Sequence, residues 1–503
     1  MNAYTCFAGA FAVRRSEIFL EDERGTVWTY AELDRETARV ASFLTGLGLG
    51  RGDRVAAQIE KSPQGLFLYL GALRAGFAYL PLNTAYQKGE IAYFLEDAEP
   101  AVFVCDPARA EGYAGLARRA GVLHLLTLGG DGGGTLTDGV REAAEEFRDA
   151  PMSADGLAVI IYTSGTTGRS KGAMVTHGNL TSNAAALKDY WRFTERDVLI
   201  HALPVFHVHG LFVAVHPVLL AGARLLFQRR FDPKAVLGAM PRATALMGVP
   251  TFYVRLLAEP GLSREAAQGM RLFVSGSAPL LLDTFAEWQS RTAHTILERY
   301  GMSEAGMITS NPYEGERRGG TVGFPLPGVS VRVVGAYDRP LGAGEPGAVQ
   351  IRGPNVFAGY WRMPEKTREE FTADAWFKTG DVGQWSEDGY LSIVGRAKDL
   401  IISGGYNVYP KEIELVIDAI PGVVESAVVG IPHPDFGEAV TAAVVRQDEA
   451  ALTEADVIAR VKAEIAGYKV PKLVRFVDEL PRNAMGKVQK GLLREQLARE
   501  RML

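Results

Sequence analysis

The 503-residue sequence has few of the features that mark secreted, disulfide-bonded or membrane-spanning chains. Only two cysteines occur, Cys6 and Cys105, and neither belongs to a Cys-x-x-Cys pair or a Cys/His cluster. This usage fits a reducing compartment and argues against a disulfide framework. The sequence contains no uninterrupted apolar run of about 18 residues, and no basic leader precedes its mildly apolar start. We therefore expect a soluble cytoplasmic protein without a membrane partner.

The chain also lacks a strong excess of charge of one sign. Its formal net charge is only -5, and no long basic run stands out. This balance argues against a dedicated nucleic-acid partner and favours small-molecule substrates, with no obligate protein partner. The length is too great for one hydrophobic core and predicts three or four folding units.

Short β-branched runs alternate with helical patterns over the first 300 residues, which predicts βαβ units and largely parallel sheets. The predicted strands are 54–59, 101–105, 198–203, 223–227, 245–249 and 271–275. Shorter strands after residue 320 indicate a β-rich layer, and an α+β pattern follows Lys398. The fold class is therefore α/β. We expect a large N-terminal domain (1–397) with two mixed or parallel α/β subdomains and the small β-rich layer, followed by a mobile α+β lid (398–503).

A loop rich in glycine and hydroxyl groups, residues 162–172, follows the apolar run 157–161. Its glycines allow close approach of the backbone to a ligand, and its hydroxyls and the ammonium of Lys171 supply donors for phosphate. The loop fails the spacing of the P-loop of kinases and ATPases, because Lys171 follows a serine and precedes a glycine. A solvated turn is the alternative. The predicted phosphate-binding residues are Thr163, Ser164, Gly165, Thr166, Thr167, Gly168 and Lys171.

Four further segments carry candidate chemistry. Ser303 and Glu304 place a hydroxyl beside a carboxylate, which suits Mg²⁺, although a helix N-terminal cap would look the same. Asp381 ends a strand-like run and can accept hydrogen bonds from ribose hydroxyls, with an ordinary turn as the alternative. Segment 275–279 is small enough to admit a flat base, or is a simple glycine turn. Lys487 follows a flexible glycine near the C-terminus, where most lysines have no specific role.

Taken together and in this order, these segments resemble the adenylate-forming superfamily of acyl-CoA synthetases, luciferases and peptide-synthetase adenylation domains. The sequence departs from the family's Tyr-Gly-x-Thr-Glu motif by having Ser303 for threonine, which keeps the hydroxyl. The resemblance implies ATP, Mg²⁺ and coenzyme A, with Glu304 and Thr163 at the metal and Lys487, Glu304 and His207 as catalytic residues. It implies further ATP or AMP contacts from Ser277, Ala278, Pro279, Tyr300, Gly301, Met302, Ser303, Asp381 and Arg396.

The resemblance also implies that the lid moves. Lys487 would bridge the acid carboxylate and the α-phosphate during adenylation, and Lys490 fits that role less well. The lid would then rotate about Lys398, so that one site performs two half-reactions. The predicted wall of a coenzyme A tunnel consists of Gly404, Gly405 and Tyr406.

The acid itself is predicted from Arg299, which occupies a position that is small or apolar in fatty and aryl acyl-CoA synthetases. Burying a guanidinium there is costly unless an anion pairs with it, and a dicarboxylic acid supplies that anion. The alternative is that Arg299 turns outward or pairs with Glu298 or another acidic residue. His207, Ser277 and Arg271 are the other predicted substrate contacts.

Four segments around His207, Ser275, Arg299 and Lys487 resemble the malonyl-CoA synthetases within this superfamily. This implies that malonate, ATP and coenzyme A give malonyl-CoA, AMP and diphosphate, with methylmalonate as an alternative substrate because one methyl group is weakly discriminated. Other hypotheses are a medium-chain or aryl acyl-CoA synthetase, a stand-alone adenylation enzyme that loads a carrier protein, and a catalytically silent nucleotide-binding protein.

Overall fold

The computed structural model of the protein describes residues 1–163, 170–403, 406–433, 436–447, 451–483 and 486–502. The helices are α1 (Ala3–Ala8), α2 (Tyr30–Gly46), α3 (Pro63–Ala75), α4 (Lys88–Ala98), α5 (Ala110–Arg119), α6 (Thr135–Arg141), α7 (His177–Tyr190), α8 (Val215–Ala221), α9 (Pro233–Ala239), α10 (Pro250–Leu257), α11 (Leu282–Thr292), α12 (Pro364–Glu370), α13 (Pro410–Asp418), α14 (Glu454–Glu464) and α15 (Lys490–Met502). The strands are β1 (Ile18–Asp22), β2 (Val27–Thr29), β3 (Arg54–Gln58), β4 (Ala78–Pro81), β5 (Val102–Cys105), β6 (His124–Thr127), β7 (Leu157–Thr163), β8 (Lys171–Thr176), β9 (Val198–His201), β10 (Arg224–Phe227), β11 (Ala245–Gly248), β12 (Leu272–Ser275), β13 (Leu297–Met302), β14 (Gly306–Ser310), β15 (Phe324–Pro325), β16 (Ser330–Val334), β17 (Gly347–Arg352), β18 (Phe377–Trp385), β19 (Leu391–Arg396), β20 (Ile401–Ser403), β21 (Tyr406–Val408), β22 (Val423–His433), β23 (Gly437–Arg446) and β24 (Leu473–Phe476).

The first sheet has the strand order β6-β5-β3-β4-β7-β8, with all pairs parallel except β7 with β8. Helix α3 begins where the Ser62 side chain accepts from Gly65 and Pro63 fixes the first turn, and it ends at Gly76 in the left-handed conformation. The apolar run of β7 is buried because helices cover a parallel sheet. The sheet ends with β8, which returns from the predicted phosphate loop.

The second sheet has the order β15-β14-β13-β12-β11-β9-β10-β1-β2, and its central strands are parallel. Strands β12 and β13 are neighbours, so the segments that follow them reach the same edge of the sheet. Ligands bind at such carboxyl edges in open α/β sheets. The alternation predicted from the sequence is confirmed, and together with the next two layers it gives the α/β fold class.

The β-rich layer is the antiparallel sheet β16-β17-β18-β19. Its last two strands place Asp381 opposite Arg396. This register brings two of the predicted nucleotide contacts together, although 15 positions separate them in the sequence.

The C-terminal part has its own sheet, β21-β20-β23-β22, and β24 pairs in parallel with β23. Its helices α13 and α14 pack over a separate cluster of buried apolar side chains that includes Ile413, Val440 and Val461. The 3-10 turn Ala397–Asp399 connects β19 to β20, and it contains the proposed domain boundary at residue 398. In the described part of the chain, no helix combines the length and apolar character needed to cross a membrane.

Candidate active site

The phosphate side of the site lies at the β7–β8 hairpin, where Thr163 pairs with Lys171. The predicted contacts Ser164, Gly165, Thr166, Thr167 and Gly168 lie outside the described residues. The Lys171 ammonium is 3.6 Å from Glu370 Oε1 and lies over the Tyr360 ring, 4.2 Å from its centroid. Lys171 therefore faces the site with its charge already paired to a carboxylate of α12.

Glu304 lies in the turn between β13 and β14, so the helix-cap alternative for Ser303 and Glu304 does not apply. Its carboxylate is 7% exposed, 3.5 Å from Thr163 Oγ1, and accepts a hydrogen bond of 3.2 Å from Tyr360 Oη. Burial raises the pKa of Glu304 above its usual range. A buried carboxylate beside a hydroxyl is a suitable ligand set for Mg²⁺, which usually takes one or two carboxylates and the substrate phosphates. The described residues contain no cluster of three His, Cys, Asp or Glu side chains that would form a complete protein-only metal site.

The ribose side is built on Asp381, which is 4% exposed. Tyr300 Oη donates to its Oδ2 at 2.5 Å, and Arg396 Nε lies 3.0 Å from its Oδ1. The Asp381 amide donates to Thr379 Oγ1 within β18, so Asp381 lies inside a strand and neither ends the strand nor belongs to an ordinary turn. The structure therefore brings Tyr300, Asp381 and Arg396 together as the sequence predicts.

The loops after β12 and β13 carry the remaining predicted nucleotide contacts. Ser277, Ala278 and Pro279 follow β12, while Gly301 and Met302 end β13. Ser277 has a φ of 71°, a conformation that is uncommon outside glycine. Such strain often accompanies functional sites.

Arg299 is 4% exposed and lies against Gly276, where an added Cβ would overlap the guanidinium. No described residue accepts a hydrogen bond from its Nε or Nη2. Burial lowers its pKa to about 9, so the guanidinium stays charged at neutral pH. Glu298 does not neutralise it, because the Glu298 carboxylate accepts from the Gly320 amide instead. The alternatives in which Arg299 turns outward, or pairs with Glu298 or with another acidic residue among those described, are therefore wrong.

Two histidines stand beside this arginine. Ser277 Oγ is 3.3 Å from His209 Nδ1, and the His209 amide is 3.2 Å from His207 Nδ1. Burial, then Arg299 and Lys487, lowers the pKa of His207 to about 4, so the ring is neutral at pH 7. His209 Nε2 has no hydrogen-bond partner among the described residues. The sequence predicts His207 here and only a structural role for His209, whereas the structure places His209 beside Ser277 in the site.

The lid contributes Lys487 to the same site. Burial, followed by the nearby Arg396, lowers the pKa of Lys487 to about 8, while Asp381 opposes this change. The preceding Gly486 has a φ of 73°, and a Cβ there would lie 3.3 Å from Thr251 Cγ2. The glycine therefore permits both the turn and the close contact with the N-terminal domain.

The other predicted lid residues have different positions. Lys490 donates to Glu414 Oε1 at 2.5 Å inside the lid, which leaves Lys487 as the lysine of the site. Lys398 is exposed in its turn. Gly404 and Gly405 lie outside the described residues, and of Tyr406 the structure describes only the backbone, in β21.

Arg271 does not reach the site, which corrects the expectation that it contacts the substrate. It precedes β12, at the end of the strand opposite Ser275. Its Nε and Nη2 donate to the two Asp197 oxygens at 2.7 and 2.8 Å, and Nη1 donates to the Trp191 carbonyl. All three guanidinium nitrogens of Arg271 therefore have hydrogen-bond acceptors outside the site. The sequence also gave no indication of Tyr360 or Glu370, which no recognised motif contains.

Comparisons with known proteins agree with this arrangement. Residues 7–361 match the model of the AMP-binding enzyme family, and residues 412–487 match the AMP-binding enzyme C-terminal domain. The chain is 37% identical to a feruloyl-CoA synthase of an Amycolatopsis species over 94% of each chain. It is 33% identical to the malonate–CoA ligase of Arabidopsis thaliana, over 97% of this chain and 83% of the relative.

A solved structure of MatB from Rhodopseudomonas palustris bears on the position of the lid. The ATP-bound form is 55% identical to this chain, the match covers 99% of each chain, and the TM-score is 0.96. The apo form has the same identity and coverage, but a TM-score of 0.86. The present arrangement, with Lys487 in the site, is therefore closer to the ATP-bound form. On the family match, the relatives and this geometry, the chain belongs to the AMP-binding enzyme family.

Proposed function

We propose that this protein ligates malonate to coenzyme A at the expense of ATP. Malonate and ATP form malonyl-adenylate and diphosphate, and the coenzyme A thiol then displaces AMP to give malonyl-CoA. The similarity to malonate–CoA ligases supports this choice of acid. The aryl alternative is supported by the feruloyl-CoA synthase relative and a fatty-acid substrate by a long-chain-fatty-acid–CoA ligase, so the panel of acids below tests both.

The observation that carries the proposal is the unpaired guanidinium of Arg299. A buried charge without a partner destabilises the folded protein unless its ligand supplies the opposite charge. Malonate has two carboxylates, so one can react while the other accepts hydrogen bonds from Nε and Nη2. Neutral His209 and Ser277 add polar contacts on the same side. An alkyl or aryl acid would leave the arginine unpaired.

In the adenylation step, the malonate carboxylate that is not held by Arg299 attacks the α-phosphorus of ATP, and diphosphate leaves. Lys487 stabilises the charge that accumulates between the two reactants, and its ammonium is protonated at neutral pH. Lys171 exchanges its ion pair with Glu370 for a contact with the triphosphate. Asp381 accepts hydrogen bonds from the ribose hydroxyls. Glu304 and Thr163 would hold Mg²⁺, which neutralises phosphate charge when it is bound. Neutral His207 lines the path of the acid.

In the second step the lid (398–503) turns about Lys398 relative to the N-terminal domain (1–397). Lys487 leaves the site, and Gly404, Gly405 and Tyr406 line the path of the pantetheine arm. The separate apolar core of the lid supports movement as a unit. The thiol sulfur bonds to the acyl carbon, the thiol proton is lost to solvent, and AMP departs with the bonding electrons.

The test is diphosphate release with a panel of acids at saturating ATP and coenzyme A. We expect malonate to be preferred, methylmalonate to follow within a factor of about 10 to 200, and hexanoate and ferulate to react poorly. Succinate measures the tolerance for a longer spacing between carboxylates. A preference for ferulate would contradict the proposal and favour the aryl reaction suggested by the feruloyl-CoA synthase relative. Product formation with free coenzyme A separates this function from loading of a carrier protein.

A further inference from the structure

Lys61 is buried outside the set of residues that the proposed mechanism uses. It lies between β3 and α3 and is 5% exposed. Its Nζ is 2.7 Å from His201 Nδ1 and 2.8 Å from the His201 carbonyl oxygen, and it lies 4.3 Å from the centroid of the Phe227 ring. Burial lowers the pKa of Lys61 well below its usual value. A lysine is placed in such an environment only at a cost, which its specific contacts must offset.

The contacts of His201 determine where its proton lies. The Gly210 carbonyl oxygen can only accept, so its contact with Nε2 requires the proton on Nε2, and Nδ1 then accepts from the lysine amine, which also donates to the His201 carbonyl. Burial, with the nearby Lys61, lowers the pKa of His201 well below its usual value, so the ring is neutral. Its one N–H is therefore at Nε2, which donates to the Gly210 carbonyl oxygen at 2.8 Å. Lys61 complements this tautomer by donating to Nδ1, and it thereby supports the contact that holds Gly210.

Gly210 belongs to the π-helical turn His209–Val213. Such turns are rare and frequently accompany functional sites. A Cβ at Gly210 would overlap the Pro204 carbonyl, so the backbone is tightly packed there. The His207 carbonyl accepts from the Leu211 amide at 2.9 Å in the same segment. A shift of the Gly210 carbonyl would therefore move His207 and His209.

We propose that Lys61 and His201 form a positioning relay that sets the turn carrying His207 and His209 for activation of the acid. The inference rests on the proposed acid–CoA ligase function but does not depend on which acid is used. Lys61 touches no reacting atom and acts through His201. The competing explanation is that the pair only stabilises the fold.

Three substitutions separate these explanations. Lys61→Met keeps an unbranched chain and removes the donors. His201→Asn retains an amide oxygen near the position of Nδ1 but does not reach Gly210. His201→Gln is the matched control, since its amide nitrogen takes the place of Nε2 and can still donate to the Gly210 carbonyl.

The first measurement is acid-dependent exchange of diphosphate into ATP. For Lys61→Met and His201→Asn we expect kcat/KM for the acid to fall about 10- to 100-fold, with the KM for ATP unchanged within about twofold. His201→Gln retains most of the activity. The double variant is no worse than His201→Asn, because both substitutions interrupt one relay. Unchanged acid kinetics in Lys61→Met and His201→Asn, or additive losses, would overturn the relay.

Hydrogen exchange provides a readout that does not depend on activity. We expect faster exchange in Lys61→Met and His201→Asn only in peptides covering residues 203–214, with the β-rich layer and the lid unchanged. Faster exchange throughout the N-terminal domain, with loss of activity in proportion to loss of folded protein, would leave the pair a purely structural role. If the wild-type protein does not react with malonate, the proposed choice of acid is wrong. The variants are then assayed with the acid that the panel identifies.

Discussion

The two halves of the candidate site treat charge in opposite ways. In the nucleotide half (Lys171, Glu304, Tyr300, Asp381 and Arg396), each charged side chain contacts a partner from the protein: Lys171 contacts Glu370, Asp381 contacts Arg396 and Tyr300, and Glu304 accepts from Tyr360. In the acid half (His207, His209, Ser277 and Arg299), the guanidinium of Arg299 has Nε and Nη2 without any partner among the described residues.

This difference indicates which part of the site lowers the stability of the ligand-free protein. In the nucleotide half, ion pairs balance the charges of Lys171, Asp381 and Arg396, and Glu304 accepts a hydrogen bond from Tyr360. The acid half contains a buried, unpaired charge. This charge lowers the free energy of unfolding until an anion binds. Under the proposed function, the half with paired charges binds the nucleotide, and the acid completes the half with the unpaired charge.

The largest expected effect comes from Lys487, which connects the two halves. Lys487→Ala should lower the rate of malonyl-adenylate formation by about a factor of 10² to 10³, because the charge in the transition state loses its cation. Thioester formation from supplied malonyl-adenylate should be nearly unchanged. Rapid-quench measurements of the two half-reactions test both statements.

Lys490→Ala is the control for that experiment, since Lys490 pairs with Glu414 inside the lid. Adenylation per folded molecule should be retained. Equal loss of both half-reactions in Lys487→Ala would contradict the assignment of this lysine to the first step alone.

The second prediction contrasts two arginines. Arg299→Met should lower kcat/KM for malonate by at least about a hundredfold, yet raise the free energy of unfolding without ligand by about 1–3 kcal/mol, because it removes an unpaired buried charge. For Arg271→Met we expect the opposite pattern, a lower free energy of unfolding with unchanged malonate kinetics. This substitution leaves Asp197, whose side chain is 4% exposed, without its main cation, so we expect a loss of about 3 kcal/mol and unchanged malonate KM per folded molecule.

Denaturant unfolding of both variants, with and without malonate, measures the contrast. Malonate should raise the unfolding midpoint of the wild-type protein and of Arg271→Met, but not that of Arg299→Met. If Arg299→Met were destabilised and had normal malonate kinetics, Arg299 would have only a structural role.

The third prediction concerns pH. The pKa of Lys487 is lowered to about 8, so its ammonium is present below that pH and is lost above it. With both substrates below their KM values, the adenylation rate should fall above pH 8, by about tenfold at pH 9, since these conditions report ionisations of the free enzyme. Lys487→Arg should lose no more than about twofold of its residual activity up to pH 9, a loss that comes from Arg299, whose pKa is about 9. A fall as large as that of the wild-type protein in this variant would assign the ionisation to another group.

The sequence was informative where the residues of a site are close together along the chain or belong to one motif. The predicted strand 54–59 matches β3 (Arg54–Gln58), and Asp381 and Arg396 meet through two adjacent strands. Hydrophobic periodicity determines such elements locally. The phosphate loop, the turn with Glu304 and the segment with Lys487 are predicted in another way, from their resemblance to motifs of the adenylate-forming superfamily.

The sequence was uninformative about partners that are far apart. Arg271 directly precedes β12 and Arg299 lies within β13, and only the fold shows that Arg271 is paired with Asp197, 74 positions away. Lys61 and His201 are 140 positions apart, and neither lies in a motif that predicts a buried pair. Pairing of this kind depends on tertiary packing, which a local pattern does not encode.

The smallest expected effect tests the compensation within the nucleotide half. Glu370 Oε1 lies 3.6 Å from Lys171 and 3.1 Å from Lys366, so Glu370→Gln should free Lys171 for the triphosphate and lower the KM for ATP by about two- to threefold. The KM for malonate should not change. Glu369→Gln is the matched control, because Glu369 pairs with Lys366 on the exposed side of α12. A raised KM for ATP in Glu370→Gln would mean that Glu370 orients Lys171 instead of competing with ATP. In that case the carboxylate belongs to the binding geometry, and the nucleotide half is preorganised by its ion pairs as well as compensated by them.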